Sequence, residues 1–78
     1  MAEVVVLRPW QSAPESGDRI LIVRDAKTCM MTTWRGDNVV PHRERWPLDQ
    51  MLDHARKEAE AFGIATIYVR EVDGAKRP

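Results

Sequence analysis

The sequence predicts a small α+β domain, with one helix packed on one face of an antiparallel sheet of about four strands. Three observations lead there. Leu48, Met51, Leu52, Ala55, Ala59 and Phe62 recur at helical spacing, and Gly63 follows them. Ile64 to Val72 is an apolar run of strand length, rich in β-branched residues. The segments 19–24 and 29–35 carry apolar residues at both odd and even positions, hence on both faces of a strand. One helix covers only one of those faces.

With 78 residues the chain is expected to form a single domain. It divides into an N-terminal strand or arm and loop over 1–18, a β-β-β-α-β core over 19–72, and a tail over 73–78. So short a chain buries a smaller fraction of its surface than a large domain, and its stability margin is thin. Hydrophobic residues make up 44% and charged residues 31%, a balance that excludes disorder over the whole length.

The elements follow in order. Glu3 to Arg8 holds Val4, Val5, Val6 and Leu7, and Pro9 ends this strand, which is either a mobile arm or an edge. Gln11 to Asp18 is a loop, punctuated by Ser12, Pro14, Ser16 and Gly17. Arg19 to Arg24 is a strand, and Asp25-Ala26-Lys27-Thr28 turns the chain into the strand Cys29–Arg35. Gly36-Asp37 fits a two-residue hairpin turn whose first residue needs positive φ. Asn38 to Arg43 returns as a strand that Pro41 assigns to an edge. Pro47 suits the first turn of a helix running to Phe62, Asp49 and Asp53 favour its positive end, and Asp53 with Lys57 is a supporting i,i+4 pair. Ile64 to Val72 closes the core, and Asp73-Gly74 reads as a turn before the basic tail Ala75–Pro78.

Alternation then defines two faces. Ile20 and Ile22 oppose Leu21 and Val23; Cys29 and Met31 oppose Met30 and Trp34; Ala65, Ile67 and Val69 oppose Ile64, Thr66 and Tyr68. One set packs under the helix. The other needs a cover, because large apolar patches are unusual on monomers. Either a partner, most simply a second copy of the chain, supplies it, or the N-terminal strand and loop fold back over it.

Charge narrows the function classes. Twelve basic residues balance twelve acidic ones, whereas a dedicated nucleic-acid binder carries a basic excess. The balance is uneven locally: residues 19–45 hold six basic against three acidic side chains, and residues 47–60 hold two against four. These are two solvated faces, a complementarity between copies, or a weak anion-binding sheet. Met1-Ala2-Glu3-Val4 has no basic region before its apolar run, so no secretory signal is expected, and no run is long enough for a membrane span. The lone Cys29 allows no intrachain disulfide. A reducing cytoplasm fits best.

The densest polar-aromatic region runs from Trp34 to Trp46. The candidate partner or nucleic-acid surface is Trp34, Arg35, His42, Arg43, Arg45, Trp46 and Tyr68, with Arg24 beside it. Such residues stack on bases and neutralise phosphate, and they are also enriched at protein interfaces. The plainer alternative is a hairpin whose tryptophans close the core. Cys29, His42 and His54 are far apart in sequence and lack ligand spacing, so no metal site is expected. His54 is expected near the polar flank of the helix. Cys29 is expected to serve as a small hydrophobe in a strand rather than a nucleophile. No catalytic residue and no cofactor site is predicted.

Trp34, the run His54-Ala55-Arg56-Lys57-Glu58-Ala59, and Ile67-Tyr68-Val69 with Asp73-Gly74 give residues 19–74 a further character. In these features and in its strand-strand-strand-helix-strand order the chain resembles a family of short bacterial proteins of unknown function. The resemblance implies the same order of elements and no known activity, so it assigns no catalytic residue. The expectation is therefore a non-enzymatic interaction module that forms a homodimer. Weak binding of nucleic acid through a basic, tryptophan-containing sheet face is the alternative.

Overall fold

A computed structural model of the chain describes residues 2–8, 10–14, 17–25 and 27–71. The elements are β1 (Glu3–Leu7), β2 (Arg19–Asp25), β3 (Thr28–Arg35), β4 (Asn38–Pro41), α1 (Leu48–Phe62) and β5 (Thr66–Glu71). The α+β class holds. The sheet, however, has five strands rather than four, and it is mixed rather than antiparallel, in the order β1-β5-β2-β3-β4. β2, β3 and β4 form an antiparallel meander, while β5 lies parallel to β2 on one side and to β1 on the other. The sheet is mixed because α1 carries the chain back across it, so that β5 enters between β1 and β2.

This insertion settles the N-terminal segment. β1 is an edge strand, pairing Glu3 with Thr66 through Leu7 with Arg70. It widens the sheet instead of folding over it. β1 and β2 run the same way, so they are not joined as a hairpin. The Gln11 N–H donates to the Arg8 carbonyl at 2.9 Å and the Arg8 N–H to Gln11 Oε1 at 2.7 Å.

The meander follows its turn chemistry. Asp25 pairs with Thr28, so the first hairpin closes one residue tighter on each side than expected. Gly36 takes φ 63° between the paired Arg35 and Asn38, a conformation costly for any residue with a Cβ. β4 ends at Pro41, two residues sooner than predicted. The His42 N–H still donates to the Met31 carbonyl at 2.8 Å, and Cys29 and Trp46 exchange backbone bonds of 2.7 and 3.3 Å, so the chain follows β3 until the helix starts.

Pro47 is the N-cap, and its carbonyl accepts the Met51 N–H at 2.9 Å. Gly63 ends the helix in the left-handed conformation at φ 72°. Ile64 does not share the Tyr68 face. It lies in the connection before β5, where its N–H donates to the Ala59 carbonyl at 2.8 Å and its side chain is buried. Val72, Asp73-Gly74, the basic tail, Pro9, Ser16 and Ala26 fall outside the described residues.

The core sits between α1 and one sheet face. Met51, Ala55 and Ala59 meet Ile20, Ile22, Cys29, Met31, Ile64, Ile67 and Val69. The small alanines let the helix approach the sheet, and Met51 fills the space at its first turns. Burying each of Ile20, Ile22, Met31, Met51 and Ile67 contributes roughly 1.5–3 kcal/mol relative to exposure.

Two changes test this layer. Met51→Ala is expected to lower unfolding stability by about 2–5 kcal/mol in urea denaturation. Gly63→Ala, which meets no neighbouring atom, is expected to cost about 1 kcal/mol through its positive φ alone. A neutral Gly63→Ala would contradict the left-handed cap.

Candidate functional site

The helix-free face is built by register. Val5 pairs with Tyr68, Tyr68 with Leu21, Leu21 with Thr32, and Thr32 with Pro41, giving one row across all five strands. A second row runs Leu7, Arg70, Val23, Met30. Trp34 and Val39 pair at the next level. Sequence alternation opposed Leu21 and Val23, Met30 and Trp34, and Tyr68 to their neighbours within each strand; the register brings these residues onto one face, and β1 adds Val5 and Leu7. The Arg70 guanidinium donates to the Gln11 carbonyl at 3.2 Å, which brings Gln11 to this side, and its neighbour Trp10 is 75% exposed. The Arg19 guanidinium stands 4.5 Å from the centre of the Trp34 ring and donates to the Gly17 carbonyl at 2.8 Å.

The residues predicted as one surface are divided by the fold. Trp34 and Tyr68 share the helix-free face. Arg35 points to the other side, 4.3 Å from the centre of the Phe62 ring. Arg45 lies 3.8 Å from Asp25, and Arg24 lies 3.5 Å from Glu71. Arg43 is exposed on the connection to the helix. His42 and Trp46 belong to a separate corner.

His54, expected near the polar flank of the helix, pairs there with Glu58 and faces that corner. Its ring centre lies 5.0 Å from that of His42 and 5.3 Å from that of Trp46, while His42 and Trp46 are 4.5 Å apart, all edge-on. The long connection 42–47 folds back against the helix and closes a sequence gap that had seemed to separate the two histidines. His42 Nδ1 lies 2.8 Å from the Glu44 carbonyl and 3.3 Å from the Glu44 N–H; the shorter contact requires the Nδ1–H tautomer, in which the longer one is not a bond. Trp46 Nε1 donates to Glu44 Oε1 at 3.1 Å. His54 Nε2 is 3.0 Å from Glu58 Oε2, and Glu58 Oε1 accepts the buried Thr33 hydroxyl at 3.0 Å.

The order of groups decides the chemistry. A nucleophilic hydroxyl needs an imidazole beside it as base. Here the Glu58 carboxylate stands between Thr33 and His54, so the hydroxyl only satisfies a carboxylate and the carboxylate orients an imidazole. Among the described residues no group of three His, Cys, Asp or Glu side chains has the geometry to hold a metal ion. Cys29 is buried, and desolvation raises its thiol pKa against a smaller opposing effect of Arg24, so it packs as a thiol and not as a thiolate. His54 with Glu58 was findable as an i,i+4 pair. The Thr33 link was not, since it depends on β3 passing under the helix.

A second hollow lies between β1 and the flank of α1. It is a groove of about 840 Å3 with Ala2, Val4, Ala59 and Ile64 on its floor and Asp53, Arg56, Lys57 and Glu60 at its rim. Among the described residues no helix is long and apolar enough to cross a membrane. Comparisons with protein-family models, with curated proteins and with solved structures each found no match.

A double-mutant cycle with Thr33→Val and Glu58→Ala should show a coupling of about 0.5–1.5 kcal/mol; strict additivity would show that the hydrogen bond contributes nothing. Cys29 supplies a pH test. A thiol raised on folding contributes stability that is complete below its unfolded pKa and is lost as pH rises through its folded pKa. Wild type should therefore lose more stability in alkaline solution than Cys29→Val, as followed by urea melts above neutral pH. Parallel losses would refute it.

Proposed function

We propose that this protein is a non-enzymatic interaction module that associates with a second copy of itself through the helix-free sheet face. The observation that carries the reading is the row Val5, Tyr68, Leu21, Thr32 and Pro41, which crosses every strand and has no charged member. Two such faces stack at about 10 Å with side chains interleaved, as sheets do in sandwiches. Arg24 and Arg45 face carboxylates and Arg35 stands over the Phe62 ring on the helix side, and this engagement of the arginines favours the reading over a phosphate-tracking surface.

The size of the face sets the strength. Five strands spaced about 4.8 Å apart, with a few residues each at about 3.3 Å, offer roughly 400–500 Å2 per copy. A standard stable interface buries about 800 Å2 per partner. Roughly 25 cal/mol per Å2 of apolar burial, less the cost of association, supports a dimer of micromolar affinity and not a permanent one. Trp10, exposed at the Leu7–Arg70 end, is placed to enlarge the contact.

Equilibrium sedimentation across concentration tests the reading. Wild type is expected to dimerise in the micromolar range, and Leu21→Lys, at the centre of the row, to weaken the dimer at least about tenfold while leaving the core intact. A wild-type chain that stays monomeric at several hundred micromolar would sink the reading.

A further inference from the structure

The two edges of the sheet are not alike. In a two-residue hairpin the residues flanking the turn exchange hydrogen bonds, so Asn38 and Val40 direct their backbone groups at β3, and Val39 and Pro41 direct theirs outward. Pro41 has no N–H. The free side of β4 therefore keeps one donor, and proline blunts it as it does the edges of many sheets. β1 contains no proline, and among the described residues no strand pairs with its outer side. The Glu3 N–H donates to the Ala65 carbonyl at 2.8 Å, so alternation aims Glu3, Val5 and Leu7 at β5 and leaves Val4 and Val6 with outward N–H and C=O groups. The next outward donor, the Arg8 N–H, is taken by Gln11 Oε1, which marks where the open stretch ends. Val6, on this open edge, is 75% exposed.

We infer that β1 is a second self-association surface, which pairs antiparallel with β1 of another copy about a two-fold axis through Val5. This register is self-complementary. Val4 of one copy stands opposite Val6 of the other, and each such pair exchanges both N–H···O=C bonds, which uses all four outward groups of both strands. Val5 meets its own equivalent on the helix-free face. Glu3 falls opposite Leu7 and Ala2 opposite Arg8, so no like charges face each other. Val6 is covered by Val4 across the junction. The product is a continuous ten-stranded sheet with both helices on the same side and the helix-free face doubled in width. The contact uses backbone valences at the edge and is independent of the face contact proposed above.

Amide exchange and sedimentation test it together. Val4 and Val6 N–H groups should exchange at least about tenfold more slowly in associated than in dilute protein, whereas a face contact leaves them open to solvent. Val6→Pro removes an outward donor from each copy without breaking a β1–β5 bond, and should weaken association at least about tenfold with an unchanged circular dichroism spectrum. Exchange at Val4 and Val6 that is independent of concentration, or a Val6→Pro chain that associates like wild type, overturns the edge contact. If Leu21→Lys alone abolishes association, the face reading stands and the edge fails; if Val6→Pro alone does so, the edge stands and the face fails.

Discussion

One helix, about 10 Å across, lies on a sheet of five strands that is roughly 19 Å from first to last. That mismatch of widths governs the molecule. α1 covers the middle strands and buries Ile20, Ile22, Met31, Ile67 and Val69 beneath it. It leaves the outermost strands only partly covered on its own side, hence the groove beside β1 and the exposure of Val40 on β4. It leaves the opposite face without any helix. Each surface proposed for association is a remainder of this single geometric fact.

Electrostatics shapes the surface more than it holds the fold. The ion pairs Arg24–Glu71, Arg45–Asp25 and Lys57–Asp53 are all substantially exposed, and such pairs contribute about 0–1 kcal/mol each. The Thr33–Glu58–His54 chain differs because it begins at a buried hydroxyl and ties β3 to the helix. Its role is to satisfy polar groups at the margin of the core, where an unpaired one would be costly.

What could be read from the sequence was the part set by local chemistry. The helix bounds follow from Pro47 and Gly63, the meander from Gly36-Asp37, and the two sheet faces from strict alternation in Arg19–Asp25 and Thr28–Arg35. What could not be read was set by pairing between distant segments. Nothing local in Glu3–Leu7 says that its neighbour is Thr66–Glu71, so the strand could be read but its place in the sheet and its direction could not. The same holds for the corner of His42, Trp46 and His54, whose members meet only because the 42–47 connection folds against the helix. Treating Trp34 to Trp46 as one surface failed for a simpler reason. Neighbours on a strand face opposite ways, and this separates Trp34 from Arg35.

The pairing of β1 with β5 also orders events in time. Glu3 is made well before its partner Thr66, and closing so long a loop costs about 2 kcal/mol more than closing a tight hairpin. The meander of β2, β3 and β4 has only short-range contacts to form and precedes it. Until β5 is made, then, Val4, Val5 and Val6 wait without a place in a sheet. A strand made before β2, β3 and β4 is housed after them, and a chain cut short before β5 would keep that valine-rich strand while losing the one neighbour that docks it.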